Sequence, residues 1–405
     1  MDSASDDEPL PATGPLAGVR VLDLSSVIMG PLATQMLGDL GAEVVSVEAP
    51  NGDINRLMDA GPHPGLSGVT LNLLRNKRNI SLDVKDPRGR EALLRIAATC
   101  DVFVTNLRPG SLTRLGLTFD DVRAVRPDVV YCQAQGYPSD GPDADRPAYD
   151  DVIQAVSGLA DSFALSSGTP RFAPTILADK VSALTIVYAV CAALFRRHRT
   201  GTAERIEVPM VDVMRSFMLV EHGSGAIPSP ATGPVGYSRV LAENRRPFAA
   251  QDGWICVLPY SPGEWKAVLE IDGRGDVVAS GMTESRQAII EHANELYAVL
   301  AEVIATRSTS FWTAFCEEHG IPAGLVVPLD QITAELPEVD HPLSGAYHHI
   351  PDPVRFSGGS GGLRRPAPVR GQHTEEVLAE AGLTEVEIAE LERSGVAVSV
   401  ARRAR

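Results

Sequence analysis

The residue in this 405-residue chain best placed to do chemistry is an aspartate at the head of a long apolar stretch. Asp179 opens the run Ile176 to Gly201, ILADKVSALTIVYAVCAALFRRHRTG. It stands where a helix N-cap belongs, and Arg196, Arg197, His198 and Arg199 gather at the far end, where cations suit the helix dipole. Val181, Leu184, Val187, Tyr188, Val190, Cys191 and Leu194 leave almost no polar face, so the helix is predicted to be buried nearly all round. A carboxylate at the open end of such a helix is held rigidly, kept ionised by the orphan amides, and still reachable. That suits a nucleophile and equally suits a cap; from position alone the cap is the simpler reading.

Other groups offer less. Glu221-His222 closes the next predicted helix as a second acid/base candidate, although a histidine there more often answers the helix dipole or solvent. His348 and His349 are adjacent and cannot act as an i, i+4 pair, so no metal site is expected. No serine hydrolase elbow between strand and helix is read, the glycine-rich run through Gly358 to Gly362 being taken as a connection, and GxGxxG does not occur, which argues against a dinucleotide fingerprint. The five cysteines are odd in number, scattered and without CxxC, which suggests a reduced, cytoplasmic protein with no disulfide framework. A net charge of -16 argues against nucleic acid and anionic membranes as partners, so a phosphorylated ligand would need a local basic patch. No apolar run is read as approaching the ~18 residues of a membrane span, and no leader pattern opens the chain. The acidic start, MDSASDDEPLPATGP, reads as a disordered tail over residues 1–14.

The elements that must position Asp179 follow from pattern. Val19 to Leu24 is a short strand of buried type; Gly30-Pro31 opens a helix over Leu32 to Leu40, with Gly41 as its stop; Val44 to Glu48 is the next strand, ending in the turn Ala49 to Asp53. Strands at Asn79 to Asp83, Val102 to Thr105, Val129 to Gln133 and Arg205 to Pro209, with helices at Pro87 to Thr99 and Val211 to His222, complete an alternation typical of a doubly wound α/β sheet. Composition changes at Gly223 to Arg246, rich in Gly and Pro, which reads as a linker into a smaller α+β domain. There a strand at Trp254 to Leu258, helices at Pro262 to Ile271, Glu284 to Thr306 and Ser310 to His319, and a closing segment at Ile321 to Val327 are expected. The run Ser357 to Gly362 reads as a flexible connection, and Thr374 to Ala381 and Thr384 to Arg393 as capped amphipathic helices. The expected boundaries are 15–225 for the first part of the large domain, 226–335 for linker and small domain, and 336–405 for a return to the large domain.

Six stretches, in order and at their separations, resemble the class III CoA-transferases of CaiB/BaiF type, the family of formyl-CoA transferase, carnitine-CoA transferase and α-methylacyl-CoA racemase. They are Gly18 to Asp53, Arg75 to Arg90, Asn106 to Leu117, Arg146 to Leu159, the Asp179 helix with Arg199-TG, and Pro368 to Leu391. The resemblance implies a large Rossmann-like domain interrupted by a small one, two chains interlocked as a homodimer, and no permanently bound cofactor. Coenzyme A and acyl-CoA are then substrates, with a carboxylic acid as the second partner. It makes Asp179 the catalytic carboxylate and reverses the preference for a cap. The family's CoA contacts fall on Val27, Leu82, Lys85, Asn106, Leu107 and Arg114, and Tyr149 matches a position lining the acyl pocket. Arg75, Lys77, Arg78 and Arg108 are further candidates for the CoA phosphates, with solvated loop charge as the alternative.

The chain departs from the family in places. Ile28 stands where some transferases carry a glutamine, and Ala49 where a basic residue is often found. The tetraglycine loop of formyl-CoA transferase is missing; Gly233-Pro-Val-Gly-Tyr237 is its nearest counterpart, which puts Tyr237 among the pocket candidates. Arg239, Arg245 and Arg246 are candidate cations for a dicarboxylic substrate. The racemases place a histidine where this chain has Tyr149, and a tyrosine with pKa near ~10 is a poor base at neutral pH. Transfer of CoA is therefore expected over racemisation, with a non-catalytic acyl-CoA-binding relative as the remaining alternative. Asp150 and Asp151 are expected at a solvated helix start, with the alternative that one of them is redirected inward.

Overall fold

In the computed structural model, which describes residues 13–359 and 361–400, the chain forms two compact units. The larger takes in the chain to Ser157, Pro174–Arg215 and everything from Leu336; the smaller is Gly158–Ala173 with Ser216–Glu335. The expected tail falls almost wholly outside the described residues.

The larger unit is built on a seven-stranded sheet. Its strands are β1 (Arg20–Leu24), β2 (Glu43–Glu48), β3 (Lys77–Leu82), β4 (Val102–Thr105), β5 (Val130–Gln135), β6 (Glu204–Pro209) and β12 (Ala397–Val398). Their order is β12-β3-β2-β1-β4-β5-β6, parallel throughout except for β12, which runs antiparallel to β3. Strands covered on both faces read as continuous rather than alternating apolar runs, and β3, β4 and β5 are buried along their whole length. The strand order reverses between β1 and β4, where ligands of open α/β sheets tend to bind beyond the carboxyl ends of the strands.

Helices α1 (Met29–Asp39), α2 (Pro87–Ala97), α3 (Pro109–Leu115), α4 (Asp150–Val156) and α5 (Leu177–Thr200) connect the strands, and α6 (Thr374–Glu380) and α7 (Glu385–Arg393) come from the C-terminal return. Asp86 caps α2 through the Arg88 N–H, with Pro87 at the first position. Leu93 and Ile96 of α2 share one core with Val377, Leu378, Ile388 and Leu391 of the return, and β12 then extends the sheet at the β3 edge.

Helix α5 differs from expectation in two ways. It packs on α1, α4, β5 and β6 through Ala178, Ser182, Ala183, Ile186 and Val190, but it is not buried all round. Leu184, Tyr188 and Phe195, at i, i+4 and i+11, are 57%, 65% and 64% exposed on one stripe. It is also long and apolar enough, by length and composition, to cross a membrane, contrary to the expectation that no stretch would be. The polar residues sit at its two ends, which is why the middle passes that test.

The run Ser357 to Gly362 is not merely a connection. Gly361 lies so close to α1 that a Cβ there would sit 2.5 Å from the Asp39 carbonyl oxygen, and the Gly362 carbonyl accepts from Asn76 Nδ2 at 2.7 Å. The same return carries a hairpin, β10 (Glu338–His341) with β11 (Gly345–His348), that was not expected from the sequence although Pro342, Ser344 and Gly345 mark its turn.

The smaller unit packs the helices Pro262–Glu270, Ala293–Ile304 and Thr309–His319 around Trp265, Tyr297, Leu300 and Trp312. A three-stranded antiparallel sheet, β7 (Phe248–Ala249), β8 (Trp254–Val257) and β9 (Ala323–Leu325), lies in the same core. The single helix expected over Glu284 to Thr306 is two, Arg286–Glu291 and Ala293–Ile304. They meet at His292, whose φ -100, ψ 20 leaves the helical region and whose identity gives no warning of a break.

Candidate active site

A cleft of about 280 Å³ opens beyond the carboxyl ends of β1, β4 and β5, at the reversal of strand order. One wall is the turn after β1. The Ser26 N–H donates to Asn106 Oδ1 at 3.0 Å and the Ser26 carbonyl accepts from Asn106 Nδ2 at 2.8 Å, so a single side chain after β4 stitches the two strand ends together. Val27, Ile28 and Met29 continue this wall into α1, which has no side-chain cap and no acidic residue in its first turn. A second wall runs from Asn106 through Leu107 and Arg108 into α3, and a third is the loop carrying Arg146, Pro147, Ala148 and Tyr149. These two are tied together: the Gly110 N–H donates to Asp145 Oδ1 at 2.8 Å, and Arg108 Nη1 donates to the Asp145 carbonyl at 2.8 Å.

Asp179 faces the same cleft, but its local setting differs from the one expected. The N-cap of α5 is Ile176, without a side-chain cap bond, which puts Asp179 at the third helical position. Its own N–H donates to Asp150 Oδ1 at 3.0 Å, and Gln154 Nε2 donates to Asp150 Oδ2 at 2.5 Å. Asp150 therefore takes the capping duty and leaves the Asp179 carboxylate unspent: among the described residues no hydrogen bond reaches its oxygens. Nor is the carboxylate kept ionised by the helix. Burial first, and the neighbouring Asp150 second, push its pKa up to about 7. Asp150, expected at a solvated helix start, is buried, because it turns inward to meet that N–H.

The other expected residues divide. Val27, Ile28, Asn106, Leu107 and Tyr149 come together around the cleft with Asp179, Tyr149 being 68% exposed. Arg114 is one turn along α3, its Nη2 donating at 3.0 Å to Ser111 Oγ, and Ser111 lines the cleft. Leu82 and Lys85 are not among the lining residues. Leu82 ends β3 within the core, paired with Ala397, and Lys85 is exposed beyond it. Tyr237, Arg239, Arg245 and Arg246 belong to the smaller unit, as does His222, whose ring stands 3.4 Å from Glu221 and accepts the Tyr237 N–H.

Three of the proposed phosphate cations have structural duties instead. Lys77 is fully buried, its Nζ 3.0 Å from Asp23 and donating at 2.7 Å to both the Pro31 carbonyl and Thr34 Oγ1. Arg75 is buried against Asp39 at 2.6 Å, and Arg78 against Glu43, Glu376 and Glu380. Lys77 and Arg78 leave solvent with the interior strand that carries them and Arg75 with the turn before it, and each finds a carboxylate. Only Arg108 of that group lines the cleft, joined by Arg146. Arg146 was not assigned a role from sequence, although it heads one of the six familiar stretches. Which of Asp150 and Asp151 turns inward is not legible in the sequence, because it depends on a partner 29 residues away.

A family model described as CoA-transferase family III matches residues 16–374. The chain is 31% identical over 376 residues to the succinyl-CoA:glutarate CoA-transferase of Homo sapiens, covering 90% of this chain and 86% of that protein. It is 28% identical over 419 residues to a formyl-CoA:oxalate CoA-transferase of Rhodopseudomonas palustris, covering 95% and 97%. Among solved structures, a CaiB/BaiF family protein from Brucella suis superposes with a TM-score of 0.76 at 26% identity, covering 91% of this chain and 99% of the other. A parallel sheet with this cleft at its switch point, matched over nine-tenths of its length by such relatives, places the chain: it belongs to CoA-transferase family III.

Proposed function

We propose that the protein moves CoA from an acyl-CoA thioester to a carboxylic acid through a covalent intermediate on Asp179. The observation that carries this reading is a half-buried carboxylate, free of hydrogen bonds and facing a cleft that also presents Arg108 and Arg146. Activity on CoA thioesters itself follows from the family.

The steps balance as group transfer. An Asp179 oxygen attacks the thioester carbonyl, the C–S bond breaks, and CoA leaves as its thiolate, giving an acyl-aspartyl anhydride. The thiolate attacks the aspartyl carbonyl, releasing the first acid and forming an aspartyl-CoA thioester. The acceptor carboxylate opens that thioester to a second anhydride, and the thiolate returns to its acyl carbonyl, restoring Asp179. Each step keeps the energy of the activated acyl group, which direct hydrolysis would discard. No resident cofactor is required; Arg108, Arg146 and Arg114 are the cations proposed for the CoA phosphates. Since relatives act on succinyl-CoA with glutarate and on formyl-CoA with oxalate, dicarboxylic acids lead the list of acceptors to be screened.

Racemisation on the same scaffold needs a second base at the α-carbon. Among the described residues lining the cleft Asp179 is the sole carboxylate and none is histidine, which supports transfer. Incubation with an acyl-CoA and hydroxylamine separates the readings. A transferase yields a hydroxamate at Asp179 and ping-pong exchange; α-deuterium wash-in without an adduct would refute the transferase reading, as would CoA binding with neither. We also propose a homodimer, in which the exposed Leu184, Tyr188 and Phe195 stripe of α5 would be covered. A sedimentation mass of one chain would refute it.

A further inference from the structure

Val27 holds φ at 68°, in the left-handed region that a β-branched residue avoids, and it does so in the wall of the cleft. Such a conformation persists only where its surroundings impose it. Here the imposing group is a carboxylate that does not itself line the cleft. The Val27 N–H donates to Asp53 Oδ1 and Oδ2 at 3.3 and 3.2 Å, and the Val27 carbonyl accepts from Asn55 Nδ2 at 3.5 Å. Asp53 is fixed in turn. Its Oδ1 accepts the Asn55 N–H at 2.8 Å, and its own N–H donates to Glu48 Oε2 at 3.0 Å. Glu48 is gripped by Arg56 Nε at 2.7 Å and by Asn79 Nδ2 at 2.7 Å, which anchors the assembly to β2 and β3. Glu48, Asn55 and Arg56 are all buried.

We propose that Asp53 is a positioning residue for the cleft: it holds the Ser26–Ile28 turn in its left-handed form, so that the CoA-binding wall exists before the ligand arrives. The proposal rests on the reading of this cleft as the acyl-CoA site. The turn is a narrow one, since a Cβ on Gly30 would come within 2.3 Å of Ser25 Cβ. If the bond to Asp53 is lost, Val27 relaxes toward negative φ and swings Ile28 and Met29 with it. Chain rotation at Val27 then competes with ligand binding.

The test is a mutant cycle read by CoA affinity, which does not require Asp179. Asp53→Ala is expected to weaken binding of free CoA, measured calorimetrically on the full chain, by about tenfold or more, the equivalent of releasing one strained residue. Adding Val27→Gly is expected to restore affinity to within about threefold of the parent, because glycine adopts this φ without strain. Asp53→Asn, which keeps an acceptor for the Val27 N–H, is expected to lose least. Were Asp53→Ala to misfold, Asp53→Ser, whose shorter side chain can keep the cap on the Asn55 N–H while giving up the Val27 N–H, reads the same coupling with and without Val27→Gly. A double variant as weak as the single one, or a single variant with unchanged affinity, overturns the proposal. A parent that binds no CoA sinks the reading of the cleft itself. An Asp179→Asn variant that still exchanges thioesters sinks the covalent mechanism alone and leaves the cycle interpretable.

Discussion

Two regions of the larger unit treat buried charge in opposite ways. Beneath the sheet surface, three buried carboxylates each have a cation seated against them: Asp23 with Lys77, Asp39 with Arg75, Glu48 with Arg56. At the cleft, Asp179 and Asp150 are neighbours of like charge, and the partners of Asp150 are a backbone N–H and an amide rather than a cation. The first arrangement fixes strands; the second stores an unfavourable interaction where a reaction can use it. Burial does not separate the two, for Asp150 is buried as the paired carboxylates are. What separates them is whether a counter-charge has been supplied.

The contrast breaks most visibly at Asp179. Replacing it by Asn is expected to cut thioester exchange by at least about a thousandfold, since a nucleophile is lost rather than adjusted. The same variant is expected to be more stable than the parent at pH 8. The folded carboxyl has its pKa raised from 3.8 to about 7. Below 3.8 both states are protonated and the pair are equal; as pH rises toward 7 the unfolded chain ionises first and the parent loses stability. Above 7 the gap stays constant, at ~1–3 kcal/mol after allowance for partial exposure. Denaturation at pH 8 and pH 3.5 checks the sign, and an Asn variant less stable at pH 8 would contradict it.

The paired region should behave in the reverse sense. Lys77→Met strands Asp23 in the interior and is expected to cost about 3–5 kcal/mol of stability. The protein that remains folded should keep its CoA affinity. A selective loss of CoA affinity without destabilisation would return Lys77 to the list of phosphate ligands.

Asp150→Asn sharpens the comparison at lower amplitude. For the parent, kcat/KM is expected to rise about tenfold per pH unit up to about pH 7 and then level off, as the nucleophile ionises. Removing the like charge should move that limb to lower pH while leaving the plateau. A rate profile that does not shift would show that burial alone sets the ionisation of Asp179.

How much of this could be read from the chain divides along the same line. Strand positions from β1 to β6 were legible within a residue or two, because sheets covered on both faces leave continuous apolar runs, whereas α1 begins at Met29, three residues before its expected start, and the short helices α3 and α4 had no legible bounds. The cleft wall at Val27, Ile28, Asn106 and Leu107 was legible through family resemblance. The destination of the charges was not. Lys77, Arg75 and Arg78 look like a basic patch in one dimension, and only the pairing of β2 with β3 and the arrival of Glu376 and Glu380 from 300 residues on turn them into interior ion pairs. That it is Asp150 rather than Asp151 that turns inward was illegible for the same reason, and so were β12 and the hairpin, two-to-four-residue strands whose pairing depends on partners, not on propensity. Helix α5 was legible as a helix, yet its exposed stripe was not, because nothing in a uniformly apolar sequence tells which face the fold will cover.

The antiparallel edge has a consequence for the order of assembly. Segments 374–398 both close the β3 side of the sheet and roof α2, yet the ribosome makes them after the whole of the smaller unit. A nascent chain shorter than that carries an open strand edge and an uncovered apolar helix face, the two features that invite wrong pairing. The larger unit, begun first, is therefore finished last, and its early strands must wait some three hundred residues of synthesis for their final neighbour.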